Sequence, residues 1–209
     1  MTDTQGSFVT LWRVTKRGRP PLLDRPMTDA ERARRYRARK RKERKRSHLT
    51  RGRGDSYWNT PAAYVEAARE VLGTIDLDPA TNLAVQERVR AQSFHTAEDN
   101  GLAHEWRGRV WLNPPYAQPL ISQFVTKLVQ EVSSGRVTAA ILLTKSSTDT
   151  LWFHEAVTAC AAVCYTRGRI RFEKAEGKPE SPLQGSAFFY FGSDVAAFRK
   201  VFGDVGFVR

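Results

Sequence analysis

The apolar run Val110-Trp111-Leu112 stops abruptly on Asn113-Pro114-Pro115-Tyr116. Two prolines fix φ twice and remove two amide donors. Each also pushes the residue before it out of the helical region. The outcome is a stiff, extended turn whose carbonyls have no competing N–H groups beside them. Asn113 offers a side-chain carbonyl and Pro114 a backbone carbonyl, two acceptors at a fixed separation that suit a planar –NH2 with two donors. Tyr116 adds a flat face on which a ring can stack.

A corner of this kind suits an exocyclic amine on an aromatic ring. The amine of adenine is a poor nucleophile, because its lone pair is delocalised into the ring. Two acceptors that hold its hydrogens in a geometry favouring pyramidal nitrogen return the lone pair toward a methyl donor. Alignment supplies the rate, and the proton leaves afterwards without a strong base.

The elements needed to position this turn can be read on either side of it. Residues 60–73, TPAAYVEAAREVLG, have helical spacing, with Thr60 as a cap, Pro61 at the first helical position and Gly73 as terminator. TIDLDPAT (74–81) reads as a short strand ending in Asp78-Pro79, and residues 109–112 as another. An amphipathic helix over 119–135 and a continuous apolar strand over 137–145 come next. After a helix over 149–160, AAVCYTR and RIRFEK read as strands, as does the aromatic GSAFFYFG (185–192); a last helix covers 194–202. Alternation of strands and helices predicts an α/β fold with a mostly parallel central sheet and helices on both faces. Such sheets bind ligands beyond the carboxyl ends of their strands, and both LDPAT and NPPY fall just after one.

Cys160 and Cys164 lie four apart with no histidine cluster nearby. The spacing suits one face of a helix through 154–164 better than a metal site, so they read as buried thiols in a reducing cytoplasm, with no metal expected. No apolar run is long enough for a membrane span, and the absence of an apolar signal core points away from secretion. Trp58, Trp106 and Trp152 read as core residues, given the area an indole buries, with contact to a base or cofactor as the alternative.

Charge divides the 209 residues in two. Residues 1–54 hold 18 of the 34 Lys and Arg and only 5 of the 22 Asp and Glu, a net of +13, whereas the remainder nets −1. The sequence thus reads as a basic arm, 1–54, and a nearly neutral domain, 55–209. In the arm, Thr28 and Glu31 have the spacing of a capping box. The stretch behind them has almost no apolar stripe, so it is expected to be disordered or transiently helical alone and to order on a polyanion. Clustered basic side chains release condensed counterions from phosphates, which makes Arg34, Arg35, Arg37, Arg39, Lys40 and Arg41 candidate nucleic-acid contacts. Arg17-Gly18-Arg19-Pro20 looks like the core of an AT-hook, whose arginines lie in a narrow minor groove. Arg167 and Arg169, alternating with Ile170, are further candidates or an ordinary exposed strand face. The polar loop 173–185, with two prolines and two glycines, is the candidate for sequence recognition.

Asn-Pro-Pro-Tyr resembles the catalytic motif of amino-methyltransferases that use S-adenosylmethionine. The ordered set YWNTPAAYV, IDLDPAT, EDNGL and GRVWLNPPY resembles the phage-type Dam family of DNA N6-adenine methyltransferases, from about Tyr57 to about Gly192. The resemblance implies a Rossmann-like methyltransferase fold in a cytoplasmic enzyme of phage or bacterial host, acting on double-stranded DNA; the oligomeric state is left open, with a monomer favoured. It implies that Asn113 and Pro114 hold the target amine, with Pro115 completing the motif, and that Tyr116 stacks on a flipped adenine. Thr60-Pro61 resembles the segment that covers the donor. Asp78 matches the acidic position near the donor's methionine part, with Asp76, Pro79 and Asn82 beside it, and Asp99 a position facing its adenosine. The chain departs from many methyltransferases in having no glycine-rich loop after the first acidic strand. The same motif also serves an RNA amine or a protein glutamine amide, and an inactive DNA-binding protein is the alternative outside enzymes.

Overall fold

A computed structural model describes residues 59–173 and 181–209, together with Thr28, Glu31, Ala33, Arg34, Tyr36 and Arg37. The chain divides into two units, Met1–Thr50 and Arg51–Arg209. In the first, Glu31, Ala33, Arg34, Tyr36 and Arg37 are helical. The capping box is formed: Glu31 N donates to Thr28 Oγ1 at 3.3 Å, and Thr28 N donates to Glu31 Oε2 at 2.8 Å. Arg17, Arg19, Arg35, Arg39, Lys40, Arg41 and Trp58 lie outside the described residues, as does most of the loop 173–185.

The second unit is a three-layer α/β arrangement. Its elements are α1 (Ala62–Leu72), β1 (Leu77–Asp78), α2 (Leu83–Val89), β2 (Ser93–Phe94), a 3-10 turn (Gly101–Ala103) and β3 (Gly108–Leu112). Beyond these come α3 (Leu120–Ser133), β4 (Val137–Lys145), α4 (Leu151–Ala159), β5 (Ala162–Thr166), β6 (Ser186–Phe191), α5 (Val195–Phe202) and β7 (Gly206–Val208). The seven strands form one sheet in the order β2-β1-β3-β4-β6-β5-β7. β1 to β5 run the same way, while β6 and β7 are reversed.

Strand alternation sends side chains to two cores. On β4, Ala140 and Leu142 face one layer, and Ile141 and Leu143 the other. The first core takes Ile121, Phe124 and Leu128 of α3 and Trp152 and Phe153 of α4; the second takes Val65 and Leu72 of α1 and Phe198 and Phe202 of α5. β6 is buried along its whole length and supplies aromatic rings to both, Phe189 and Phe191 to one and Phe188 and Tyr190 to the other. Each such ring contributes about 1.5–3 kcal/mol of burial. Trp106 and Trp152 are core residues, 0% and 6% exposed. Among the described residues no helix is long and apolar enough to cross a membrane.

Three local expectations are corrected. RIRFEK forms no extended strand among the described residues: Ile170 and Phe172 are buried and the arginines exposed, and Glu173 is joined to Asn59 by an isolated bridge. Alternation there reports which side is buried rather than which backbone is paired. The two cysteines do not share a helix face, because α4 ends at Ala159; Cys160 comes directly after it half-buried, and Cys164 lies in β5. Thr60 does not cap α1, whose N-cap is Pro61.

Candidate active site

The carboxyl ends of β1 and β3 lie side by side, since Leu77 is paired with Val110 in parallel register. The turns leaving the two strands therefore converge. A cavity of about 350 Å³ opens there, lined by Asn59, Thr60, Asp78, Pro79, Thr81, Asn82, Thr96, Gly101, Trp111 and the whole of Asn113–Tyr116, among others. The volume lies within the range of small-molecule sites.

Asn113 is fixed from both sides of its carboxamide. Its Nδ2 donates to Thr60 Oγ1 at 3.1 Å, and its Oδ1 accepts from the Tyr116 hydroxyl at 2.7 Å. Thr60 is 3% exposed, so this bond decides which way the amide faces. Burial pushes the Tyr116 phenol upward, keeping it a neutral donor at any working pH. Lys145, the last residue of β4, places Nζ 5.0 Å from the Tyr116 ring centroid.

Asp78 ends β1 only 2% exposed. Its Oδ2 accepts from Gln86 Nε2 at 2.9 Å and its Oδ1 from Ala80 N at 3.3 Å. Gln86 also donates to Thr81 Oγ1 at 3.2 Å. No described cation pairs with this carboxylate, and desolvation raises its pKa to about 7 against the hydrogen bonds that lower it. Asn82 lines the cavity while its side chain caps α2, accepting from Val85 N at 3.1 Å.

Other residues singled out in the sequence fall elsewhere. Asp76 sits at the opposite end of its strand, where its carboxylate accepts from Arg109 Nε and Nη2, each at 2.9 Å, and from Arg109 N at 2.8 Å. The Arg109 guanidinium holds its pKa below the usual carboxylate range. Asp99 is exposed and accepts from Thr96 N and Oγ1 at 2.9 and 2.8 Å, which holds the loop that lines the cavity rather than placing its own carboxylate there. Pro61 is not among the lining residues. Arg167 and Arg169 are exposed beyond β5.

Three residues of the site escaped the sequence reading. Asn59 lines the cavity, and its buried Oδ1 has no hydrogen-bond partner among the described residues; an asparagine beside a helix start gives no signal of this. Gln86 matters through Asp78. Gly101 packs so closely that a Cβ on it would lie 2.0 Å from the Pro79 carbonyl oxygen, and its own carbonyl accepts from the buried Trp106 Nε1 at 2.8 Å. Its place in EDNGL was the available clue. We expect Gly101→Ala to lower stability by about 1–3 kcal/mol and to displace the turn after Asp78. Thermal denaturation and a donor titration check both effects.

Fold and cavity together define an α/β enzyme-like domain with a ligand chamber at the carboxyl edge of its sheet and an amide-bearing Pro-Pro turn as one wall. The chain belongs to the DNA N-6-adenine-methyltransferase (Dam) family, whose model matches residues 46–191. It is 31% identical to the DNA N-6-adenine-methyltransferase of Haemophilus phage HP1 over 127 residues, 59% of this chain and 70% of the phage protein. It is 32% identical to the protein of the same name from Escherichia phage T1 over 110 residues, 52% of this chain and 43% of that protein.

Proposed function

We propose that this protein transfers a methyl group from S-adenosylmethionine to the N6 amine of adenine in double-stranded DNA, with the target base flipped into the cavity. The reading rests on one observation above all: the same chamber of about 350 Å³ is walled both by Asn113–Tyr116 and by the buried Asp78, which no described cation pairs. The strand order, with reversed β6 between β4 and β5, supports a Rossmann-like methyltransferase fold.

The residues present fit the donor. Asp78 is a buried carboxyl without a counter-charge among the described residues, suited in its ionised form to an ammonium group, and Asn59 has a buried oxygen that accepts from no described donor. Asp78, Asn82, Thr60 and Asn59 would hold the molecule. S-adenosylmethionine, when bound, supplies a methyl group activated by its sulfonium.

The rest is the work of the chain's own side chains. Thr60 takes the Nδ2 side of Asn113, so Oδ1 is turned to the substrate. A carbonyl oxygen has two lone pairs; one receives the Tyr116 hydroxyl and the other accepts an N6 hydrogen. The Pro114 carbonyl takes the second hydrogen. Gripped in this way, the amine nitrogen directs its lone pair out of the ring plane. Tyr116 holds the ring by stacking, and the extra proton departs to solvent after transfer. Reaching the amine requires the base to leave the duplex.

The test is direct: incubate the protein with donor and unmethylated DNA and map modified bases by sequencing. N6-methyladenine is the expected product; label appearing only in RNA or protein, or nowhere, would overturn the reading. The arm of residues 1–54 is proposed to add phosphate contacts. Its deletion should weaken DNA binding and flatten the dependence on salt. An anisotropy titration whose salt slope did not change would remove that role.

A further inference from the structure

Lys145 ends β4 at the same edge of the sheet as the catalytic turn, half-buried, with Nζ against the Tyr116 ring. Among the described residues its ammonium has no carboxylate partner, and desolvation alone lowers its pKa. A partly buried cation without a counter-anion is costly to hold, and a ring face compensates only in part. A cation beside an amine that itself becomes positive on methylation would also oppose the reaction unless something neutralised it. Both arguments call for an anion that arrives with the substrate.

Two sources are available, a DNA phosphate and the donor's carboxylate. The location favours the first. Lys145 is absent from the walls of the chamber that holds Asp78 and Asn82. It borders β6 instead: its register partner is Ser186, whose carbonyl accepts from Thr166 Oγ1 of β5 at 3.1 Å. Exposed Arg167 and Arg169 continue directly from Thr166, and Arg169 Nη1 donates to Pro182 O at 3.4 Å. Two strand spacings, roughly 10 Å, separate β4 from β5 across β6, so Lys145 and the segment carrying Arg167 and Arg169 stand at the same carboxyl edge of the sheet.

We propose that Lys145 binds a DNA phosphate next to the flipped adenine, so that Tyr116 is clamped between the lysine on one ring face and the base on the other. This rests on the reading of the protein as a DNA adenine methyltransferase. The lysine acts as a positioning residue: DNA binding neutralises it and at the same time sets the ring against which the base is aligned.

The experiment compares the full-length protein with Lys145→Met and Lys145→Arg. Measured against salt with unmethylated duplex DNA, the slope of log affinity should fall by about 0.9 in Lys145→Met, one phosphate contact, and return in Lys145→Arg. The affinity for S-adenosylmethionine without DNA should be the same in all three. An unchanged slope in Lys145→Met would overturn the proposal and leave the lysine a prop for Tyr116. A loss of donor affinity without a change of slope would overturn it in favour of the donor carboxylate. The broader reading is judged separately, by whether the unaltered protein deposits methyl groups on adenine.

Discussion

Asn113→Ala should lower methyl transfer to DNA by about 10³-fold while leaving the fold intact. Removing one pre-positioned hydrogen-bonding group from a reacting centre costs about 10²–10³ in rate, and this substitution also releases Tyr116, whose hydroxyl donates to Asn113 Oδ1. The cost to stability is smaller. Thr60, 3% exposed, loses the donor it accepts from, about 1 kcal/mol. Single-turnover transfer of labelled methyl measures the first effect, and thermal denaturation the second. A variant that still methylated within a few-fold of the parent would show that the carboxamide does not hold the amine.

The second large effect is expected at Asp78, where stability and binding should move in opposite directions. The folded-state pKa is about 7, against an ordinary value of 3.8. The native state therefore binds a proton that the unfolded chain has already lost between pH 4 and 7. Stability falls as pH rises through that window, and the deficit is complete above it. Asp78→Asn removes the titration, so its thermal midpoint should exceed the parent's at pH 8 and approach it near pH 4. The full shift corresponds to ~4 kcal/mol, less whatever is lost where an amide replaces one carboxylate acceptor. Donor affinity should fall at least ~10-fold, because the ammonium loses its counter-charge. The parent's own affinity should weaken as pH drops below 7 and the carboxyl takes up a proton. Undiminished donor affinity in Asp78→Asn would remove Asp78 from the donor site.

Why some of this was visible in the sequence and some was not has a physical basis. The turn after β3 and the Asp-Pro after β1 were legible because strand periodicity and proline are local signals, and the carboxyl-edge rule for α/β sheets puts both turns at the ligand side. Helices α1, α3, α4 and α5 were legible from spacing, α1 and α3 also from the glycines that follow them, whereas α2, Leu83–Val89, which ends on Arg90, was not read. Thr60 was not: a threonine before a proline has the chemistry of a cap, and only the folded chain brings it to Asn113, 53 residues away. Asp76 and Asp78 are alike in sequence and differ because Arg109, 33 residues on, reaches only the first. RIRFEK alternates as a strand does, since burial of Ile170 and Phe172 imposes the same period even where the described residues form only an isolated bridge. Cys160 and Cys164 fit a helical interval that the chain breaks at Ala159.

The pairing of Asp76 with Arg109 reaches beyond the tie itself. Through the Asp76 N to Arg109 O bond of 2.8 Å and the two-pronged guanidinium contact, it locks β1 against β3 at one offset. Strand geometry then carries the next carboxylate a fixed distance further, two residues or about 7 Å, to the rim of the chamber. Arg109 thus works as the zero mark of a ruler: any slippage there would mislocate the acidic group proposed for the methyl donor by a whole residue, although the arginine itself pairs with Asp76 at the other end of the strand.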